Sequence, residues 1–327
     1  MHEVLIIGGG PAGLTAGMFC RMRKMPALVV DAGRVGGQLV SLYGDKPVHD
    51  WPGYHDIIAN ELADHLVQHA RRLEVEIAEH QKVLDLHGSG NDGFEMVARD
   101  VVSGGEHRYT ARAVIVAIGG GAFEPRKLKT PGEAELGEDM LTYRMPDRSK
   151  IAGKRVVVVG GGDSGLESAQ SAHQAGAHVT IVQVLERFTG MEGNIDLVNQ
   201  MEIPRHFNTR VKQLEVEGGA LKAVHAQTKG AAQPLRLECD YLVVNIGAAV
   251  NLDAVKRWGI DTEGNQIKVD AAMRTSVEGI FACGDIVSYE SKYKLLITAA
   301  SEGAVAANSA YVYVRKPARL TMGELYT

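Results

Sequence analysis

The sequence has 327 residues, of which 45% are hydrophobic and 23% charged, with 38 glycines and a formal net charge of -5 at pH 7. This length predicts two domains, each large enough to bury its own core, and the composition is typical of a globular protein. The negative net charge argues against nucleic acid or an anionic membrane as a partner, because such partners attract basic surfaces.

The amino-terminal segment contains an apolar run, but no basic region precedes it and Gly8-Gly9-Gly10 interrupts it. We therefore expect a buried strand and a turn there, and neither a leader nor an anchor. No other apolar stretch reaches the ~18 residues of a membrane-spanning helix, so we expect a cytoplasmic protein without a membrane partner. Three cysteines far apart in sequence suit a reducing compartment with buried thiols: Cys20, Cys239 and Cys283.

A glycine fingerprint follows the first predicted strand, Glu3 to Ile7, and opens a helix predicted over Leu14 to Lys24. The next apolar run, Ala27 to Val30, is followed by Asp31. An acid at the end of this strand binds the ribose hydroxyls of a dinucleotide. Glycines at this spacing allow a tight turn and a close approach to a pyrophosphate, and the helix N-terminus attracts the anion. This β-α-β segment predicts a dinucleotide site formed by Gly8, Gly10, Pro11, Ala12, Gly13 and Asp31.

Two histidines, His49 and His55, flank a Trp-Pro-Gly turn further along the chain. Turns of this composition lie at the surface, so we interpret these histidines as surface groups and predict no metal site. The chain then continues through a predicted helix, alternating strand-like segments and an apolar run, around Asn60 to Leu73, Phe94 to Arg112 and Ala113 to Ile118.

The strand-glycine-helix-strand pattern returns in the middle of the chain. A strand over Arg155 to Val159, a helix from about Leu166 to Ala175 and a strand over His178 to Val182 accompany glycines with the same spacing as the first set. A second pyrophosphate site is therefore available, and its natural occupant is a nicotinamide dinucleotide. The residues predicted to bind it here are Gly160, Gly162, Asp163, Ser164 and Gly165.

Gln183 ends the second segment at the position that Asp31 has in the first. An acid there favours NAD by binding the ribose diol, whereas basic residues just beyond favour NADP by binding its 2'-phosphate. The residues that follow, Val184-Leu185-Glu186-Arg187, complete neither signature. Three possibilities stay open: Arg187 binds the 2'-phosphate of NADPH, Glu186 binds the diol of NADH, or the site is idle.

An apolar run over Tyr241 to Ile246 ends in Gly247, as the run over Ala113 to Ile118 ends in Gly119. We interpret these two runs as the crossings between domains. They predict an α/β protein with two Rossmann-like dinucleotide-binding domains, the second inserted in the first. The discontinuous first domain is predicted over residues 1–116 and 247–327, and the inserted domain over residues 117–246.

The carboxyl-terminal part indicates which dinucleotide the first domain binds. Gly279 to Asp285 reads as a strand that ends in a glycine-acid pair, and Ser301 to Ala307 reads as a helix start. These segments resemble the second FAD motif of the two-dinucleotide flavoprotein reductases, in which the aspartate binds the ribityl chain and the helix N-terminus faces the flavin. Gly36 to Leu39 resembles their flavin-contact segment. The resemblance therefore implies FAD contacts by Gly37, Gln38, Leu39, Gly284 and Asp285.

Over its full length the chain resembles the thioredoxin-reductase-like ferredoxin (flavodoxin)-NADP reductases, which have the FAD/NAD(P)-binding fold. Thioredoxin reductase has a CxxC just before the second fingerprint, whereas the corresponding stretch here, Met140 to Asp147, has no cysteine. Further similarity lies in Leu42-Tyr43 before Asp50, in Gly121 to Arg126 and in Tyr289 to Leu295. It implies a flavin-tuning or proton-supplying role for Asp50, with a turn carboxylate as the alternative, and flavin contacts by Tyr43 and Phe123. Tyr326 is a further candidate for stacking on the flavin, but we expect it to belong to a frayed terminus.

The resemblance implies an FAD-dependent oxidoreductase that passes electrons between NAD(P)H and a ferredoxin or flavodoxin, without a redox-active disulfide and as a homodimer. Relatives that use NADPH have a His-Arg-Arg cluster and a further arginine where this chain has Gln183, Val184, Leu185 and Thr189, so the usual phosphate clamp is missing. The alternative is a flavoenzyme with a degenerate nicotinamide site, which uses another donor or acts as a flavin-bound redox sensor. A loosely basic stretch either contacts an acidic ferredoxin or forms a solvated face: Lys127, Lys129, Arg144, Arg148 and Lys150.

Overall fold

The computed structural model describes residues 2–90, 92–120, 124–137, 139–249 and 251–316. The chain forms two compact units. Unit 1 combines Met1–Ala122 with Val250–Thr327, and unit 2 is Phe123–Ala249. This division does not identify the dinucleotide that each unit binds, which stays a prediction.

The amino-terminal segment of unit 1 contains three helices, α1 (Pro11–Met22), α2 (Gln38–Ser41) and α3 (Ala59–Arg72). Its strands are β1 (Val4–Ile7), β2 (Ala27–Val30), β3 (Pro47–Val48), β4 (Ile57–Ile58), β5 (Glu76–Ala78), β6 (Gln81–Ser89), β7 (Gly93–Asp100), β8 (Glu106–Ala111) and β9 (Ala113–Val116).

Unit 2 contains a 3-10 turn (Glu133–Glu135) and the helices α4 (Arg148–Ile151), α5 (Asp163–Gln174) and α6 (Glu192–Gln200). Its strands are β10 (Glu124–Pro125), β11 (Leu141–Thr142), β12 (Arg155–Val159), β13 (His178–Val182), β14 (Arg205–His206), β15 (Thr209–Glu217), β16 (Ala220–Thr228), β17 (Leu235–Glu238), β18 (Tyr241–Val244) and β19 (Ala248–Ala249). The carboxyl-terminal segment of unit 1 then adds α7 (Asp253–Arg257), β20 (Thr262–Glu263), β21 (Gln266–Lys268), β22 (Ile280–Ala282), β23 (Val287–Ser288) and α8 (Leu296–Arg315).

The core of unit 1 is a parallel sheet with the strand order β22-β9-β1-β2-β5. Strands β1, β2 and β9 are short apolar runs in which every residue is buried. Such uninterrupted apolar strands are typical of a parallel sheet that is covered on both faces. Ile7 at the end of β1 is in register with Val30 of β2 and Val116 of β9, so the carboxyl ends of these strands form one edge.

Helices α1 and α8 pack against each other beside this sheet. A Cβ atom on Gly303 of α8 would lie 2.2 Å from the backbone oxygen of Ala12 in α1. Because no side chain fits into that distance, a glycine is required where the two helices cross. The carboxyl-terminal segment of the chain is thereby joined to the first glycine fingerprint.

The structure corrects the predicted start of α8. The sequence indicated a helix start at Ser301 to Ala307, but the helix begins at Leu296. Thr298 accounts for the difference, because its hydroxyl accepts a hydrogen bond from the backbone N–H of Leu295 at 3.2 Å. This bond satisfies an amide that the helix leaves unpaired at its start. Residues 301–307 therefore lie inside the helix.

Unit 2 has a second parallel sheet, with the strand order β11-β18-β12-β13-β14. Val159 at the end of β12 is in register with Val182 of β13 and Val244 of β18, which repeats the arrangement in unit 1. Both glycine fingerprints therefore follow the central strand of a parallel sheet, at its carboxyl edge. Ligands of open α/β sheets bind at this edge.

Each unit also has an antiparallel sheet of three strands, β6-β7-β8 in unit 1 and β15-β16-β17 in unit 2. The sequence predicted β7 and β8 but not β6 or the hairpin β15-β16. The burial pattern of β15 is irregular, with register shifts after Val211 and after Glu215, which breaks the alternation that identifies a strand in sequence.

The predicted α/β class is confirmed by these two parallel sheets. Among the residues that the structure describes, no helix combines the length and the apolar character needed to cross a membrane.

Candidate dinucleotide sites

The first fingerprint forms a tight turn between β1 and α1. Gly8 has a φ of 107°, in the left-handed region that favours glycine, and its N–H donates to the oxygen of Val30 at 2.8 Å. A Cβ atom on Gly13 would lie 1.9 Å from the oxygen of Gly8. The helix therefore starts directly against the end of the strand, with its N-terminus at the carboxyl edge of the sheet.

Gly10 leaves room for a further atom at this helix start. It is the N-cap of α1, and the nearest atom to a Cβ built on it is the Cα of Gly37, at 3.7 Å. Pro11 follows as the first helical residue, and the first turn carries no acidic side chain. A helix N-terminus without a competing carboxylate in its first turn is suited to a pyrophosphate.

Asp31 is held beside the fingerprint by two backbone amides. Its Oδ2 accepts from Gly9 N at 2.7 Å, and its Oδ1 accepts from Gly33 N at 2.8 Å. Each carboxylate oxygen has a second lone pair, so the side chain can also accept hydrogen bonds from a ribose diol. The backbone thus orients the acid that the sequence singled out.

Three segments far apart in sequence meet beyond this turn. Gln38, the first residue of α2, hydrogen-bonds the side chain of Asp285, and a Cβ atom on Gly119 would lie 3.7 Å from Gln38 Nε2. Gly284 has a φ of 85°, and a Cβ on it would lie 3.1 Å from the Cβ of Ala12 in α1. The predicted glycine-acid pair is therefore next to both the first fingerprint and the Gly37-Gln38 segment.

Burial raises the pKa of Asp285 above its usual range. The nearby ammonium groups of Lys292 and Lys294 and the hydrogen bond with Gln38 lower it and offset part of this effect. The carboxyl group is therefore partly desolvated.

A buried polar cluster behind Asp285 was missed at the sequence level. The carboxylate of Glu302 accepts hydrogen bonds from Gly284 N at 2.8 Å, Tyr289 OH at 2.7 Å and Lys292 Nζ at 2.5 Å. The Glu302 and Lys292 side chains are almost completely buried. Burial and the hydrogen bond to Glu302 raise the pKa of Tyr289 to about 12. The only sequence signal was an acid within an alanine-rich helix.

The other residues predicted to contact FAD have no direct contact with the first fingerprint among those described above. Leu39 is buried in the core of unit 1, and Tyr43 is half-buried with the ammonium of Lys46 5.3 Å from its ring centroid. Asp50 is exposed and follows β3. Phe123 and Tyr326 lie outside the described residues.

The second fingerprint repeats the first. Gly160 has a φ of 123°, its N–H donates to the oxygen of Val182 at 2.9 Å, and a Cβ on Gly165 would lie 2.2 Å from the oxygen of Gly160. Gly162 is the N-cap of α5, and a Cβ on it would meet only Thr189 Oγ1, at 3.7 Å. Unit 2 therefore has a similar cradle for a pyrophosphate, although the first turn of its helix carries an acid, Asp163, where that of unit 1 carries none.

Asp163 and Ser164 begin α5 and are half-buried. Asp163 Oδ1 accepts from the backbone N–H of Met191 at 2.7 Å and from Asn194 Nδ2 at 2.8 Å. Asp163 thus holds the start of α6 against the start of α5. Its position supports the loop beside the cradle, which is a structural role that the sequence did not indicate.

Gln183 is 5% exposed, and its amide is used by the loop that follows β13. Its Oε1 accepts from Val184 N at 3.0 Å and its Nε2 donates to the oxygen of Arg187 at 3.2 Å. Val184 and Leu185, at 46% and 49% exposure, present apolar side chains to solvent. Glu186 and Arg187 are also exposed.

Asn245 is a second residue that sequence reasoning missed. It follows β18, and its backbone oxygen would lie 2.1 Å from a Cβ on Gly160. Its Oδ1 is buried and has no hydrogen-bond partner among the described residues. An orphaned buried acceptor beside a glycine cradle fits a ligand that supplies a donor, such as a ribose hydroxyl or a carboxamide.

All three cysteines are buried and free. Burial raises the pKa of the Cys20 and Cys239 thiols to about 12 and that of Cys283 further still. Because the thiolate is the reactive form, none of these cysteines is suited to redox exchange.

The remaining candidates of the sequence lie at the surface. His49 and His55 both hydrogen-bond Asp56, at 2.6 and 2.9 Å, and these bonds lower the pKa of that carboxyl. Within the described part of the chain, no cluster of three or more metal-ligating side chains is found. The basic stretch is exposed, and three of its side chains have partners. Lys127 lies over the ring of Tyr143, Lys150 hydrogen-bonds Asp139 and Arg148 hydrogen-bonds Gln174.

Comparison with known proteins matches residues 2–303 to the family model described as pyridine nucleotide-disulphide oxidoreductase. A protein of Shouchella clausii named ferredoxin–NADP reductase 2 is 34% identical over 99% of this chain and 96% of its own length. The ferredoxin–NADP reductase of Thermus thermophilus is also 34% identical, over 98% and 95%. The solved structure of Lactococcus lactis thioredoxin reductase superposes with a TM-score of 0.86 at 27% identity, over 97% of this chain and 100% of that one.

Proposed function

Because the chain belongs to the pyridine nucleotide-disulphide oxidoreductase family, we propose that it is an FAD-dependent oxidoreductase that passes electrons between NAD(P)H and a ferredoxin or flavodoxin. The observation that carries the proposal is the pair of complete β-α-β cradles in a chain whose thiols are all buried. Full-length relatives named ferredoxin–NADP reductase support it.

FAD fits unit 1 by the shape and chemistry of its residues. The α1 N-terminus and the space beside Gly10 would hold the pyrophosphate, and Asp31 would accept hydrogen bonds from the adenosine ribose. Asp285 and Gln38, which lie beside one another, would bind the remainder of the cofactor. When bound, FAD accepts a hydride equivalent and releases single electrons.

The electrons must leave through a separate protein or a soluble acceptor, because the chain has no pair of reactive thiols. In disulfide reductases an accessible cysteine pair next to the nucleotide domain receives electrons from the flavin. The corresponding stretch here contains β11, and the three cysteines of the sequence are free and buried elsewhere. The chain's own residues therefore bind and orient the cofactors and take no covalent part.

The decisive experiment is anaerobic stopped-flow reduction of the purified yellow protein with NADPH and with NADH. We expect the flavin absorbance to bleach with at least one of them, and the reduced protein to pass electrons to ferredoxin, measured by cytochrome c reduction. A flavin that neither nucleotide reduces at millimolar concentration would contradict the proposal. Cytochrome c reduction that is unchanged when ferredoxin is left out would contradict the assigned partner.

A second candidate function is favoured by the apolar Val184 and Leu185 at the end of β13. It is a flavoenzyme that receives electrons from a reduced protein and leaves unit 2 idle, or a flavin-bound redox sensor. Rapid bleaching by NADPH or NADH would exclude the idle site. Sustained turnover with ferricyanide would exclude the sensor.

We also propose that the protein is a cytoplasmic homodimer. Free thiols suit a reducing compartment. Helix α8 exposes three apolar residues on one side, Ile297, Val305 and Val312, which offers a surface for a second copy. Light scattering of the purified FAD-bound protein is expected to give twice the chain mass, and Val312→Glu is expected to shift it toward the monomer. A monomeric wild-type protein would contradict the dimer.

A further inference from the structure

The two β-α-β segments of this chain share the backbone hydrogen bonds that form their turns. Gly8 N and Gly160 N donate to the last residues of the neighbouring strands, at 2.8 and 2.9 Å. Gly9 O and Gly161 O each accept from a loop amide, that of Gly36 and that of Thr189, both at 2.8 Å. Residues at equivalent positions of the two units can therefore be compared directly. Where they differ, the difference indicates which nucleotide unit 2 binds.

The segments differ where an adenosine ribose is recognised. In unit 1 the strand ends in Asp31, a half-buried carboxylate with lone pairs left for a diol. In unit 2 the same place holds Gln183, which is buried and hydrogen-bonded on both sides of its amide to its own loop. A negative charge that would repel a 2'-phosphate is therefore absent at this position, and so is the carboxylate that would select a free diol.

The two positions directly after Gln183 supply no cation that would select a 2'-phosphate. Selective phosphate binding needs arginine or lysine groups that make charge-assisted hydrogen bonds. The two residues after Gln183 are Val184 and Leu185, whose side chains face solvent. Arg187 is the next cation in this loop; it is exposed and directly follows an exposed carboxylate of opposite charge, Glu186.

We propose that unit 2 does not discriminate at the ribose 2'-position and binds NAD(H) and NADP(H) with affinities within tenfold of each other. This inference rests on the proposed function, because it concerns the same nicotinamide site. Binding is carried by the pyrophosphate cradle at Gly162 and the α5 N-terminus, which contact a part common to both nucleotides.

The first test is calorimetric titration of the oxidised FAD-bound protein with NAD+ and with NADP+ under identical buffer and salt. We expect two dissociation constants that differ by less than tenfold. A preference of tenfold or more for either nucleotide would overturn the inference. Stopped-flow reduction by NADH and NADPH is expected to give the same ranking.

The second test adds the missing cations with Val184→Arg/Leu185→Arg. Both side chains are exposed, so the substitutions leave the core of unit 2 intact. The double variant is expected to bind NADP+ at least tenfold more tightly while its affinity for NAD+ stays within about twofold, and added salt is expected to diminish the gain. Val102→Arg, at an 82% exposed position in unit 1, is the control and is expected to change neither affinity.

These outcomes separate the inference from the proposed function. Reduction by NADPH alone, or by NADH alone, contradicts the inference and leaves an NAD(P)H-dependent reductase in place. Failure of both nucleotides to bind and to reduce the flavin contradicts the proposed function itself. An unchanged NADP+ affinity in the double variant would show that the loop after Gln183 lies away from the 2'-position, and would also overturn the inference.

Discussion

At the scale of single residues, the glycines of each fingerprint have two separable roles. Gly13 and Gly165 are required by packing, because a Cβ on either would lie within 2.2 Å of a backbone oxygen. Gly10 and Gly162 have extended backbone and nothing closer than 3.7 Å to an added Cβ. The former therefore serve the fold, and the latter leave room for a ligand.

We predict that Gly10→Ala folds normally and loses FAD, whereas Gly13→Ala unfolds more easily. The new methyl group at position 10 projects toward the pyrophosphate cradle, so we expect FAD to dissociate at least tenfold more readily, an effect of about 1.4 kcal/mol or more. The methyl group at position 13 overpacks the turn at a cost of about 1–3 kcal/mol or more. Flavin retention on gel filtration and circular dichroism melting distinguish the two effects.

Gly162→Ala is the matched variant in unit 2. It is expected to keep FAD and wild-type stability but to slow reduction by NADPH and NADH at least tenfold. Normal nucleotide reduction in this variant would show that the pyrophosphate does not contact the α5 N-terminus.

Glu302 is the residue-scale feature whose removal we expect to be most costly. Glu302→Gln leaves the ammonium of Lys292 buried without its counter-charge, and breaking a buried pair costs about 3–5 kcal/mol. The urea midpoint, followed by flavin fluorescence, is expected to fall. The double variant Lys292→Met/Glu302→Gln should recover part of the loss, since no unpaired charge remains. Glu95→Gln, at an exposed pair with Arg108, is the control, and an equal loss there would contradict the explanation.

At the scale of elements, an ion network joins the strands of unit 2. Arg155 at the start of β12 donates to Asp240 at 2.9 and 2.5 Å and also binds Glu238 of β17. Arg236 of β17 binds Glu215 of β15 at 2.6 Å, and His225 of β16 binds the same carboxylate. These contacts connect the parallel sheet to the antiparallel sheet within this unit.

The network predicts acid sensitivity in a defined window. Hydrogen bonds from Arg155 lower the pKa of Asp240 to about 2, and hydrogen bonds from Arg236 and His225 lower that of Glu215 to about 2. A carboxyl whose pKa is lower in the folded state stabilises the fold above its unfolded pKa, near 4, and loses this contribution as the pH falls toward the folded value. The urea concentration at the midpoint of unfolding, read from the far-ultraviolet signal, should therefore decrease as the pH is lowered from 5 to 2. Asp240→Asn should flatten the slope, and an unchanged slope would contradict the assignment.

At the scale of the whole molecule, the chain has two dinucleotide-type units and no thiol pair to store electrons. An anaerobic titration should therefore consume about two electrons per FAD, the capacity of the flavin alone, whereas a flavin with a redox-active disulfide takes about four. The protein should also fail to reduce an aromatic disulfide at a useful rate. Uptake of four electrons, or activity lost after alkylation of the folded protein, would contradict electron transfer without a disulfide.

Much of the fold was predictable because its signals are local. The strands Ala27–Val30, Arg155–Val159 and His178–Val182 appear as predicted, since parallel strands buried on both faces are continuous apolar runs. The hairpin β15-β16 was not predictable, because pairing between its strands stabilises them more than their own pattern does. The predicted start of α8 was wrong because the helix begins earlier, where the hydroxyl of Thr298 in its first turn accepts a hydrogen bond from the Leu295 N–H.

The sequence by itself determined the two fingerprints, the strand-helix-strand order and the absence of a CxxC, because each depends on residue types at fixed spacing. Only the tertiary structure decided that Glu302 closes a buried cluster behind Asp285, that Gln183 is engaged by its own loop and that Asn245 leaves a buried acceptor beside Gly160. The physical reason is that burial and hydrogen-bond partners are set by residues distant in the chain. Those partners decide whether a polar side chain supports the fold or is left for a ligand.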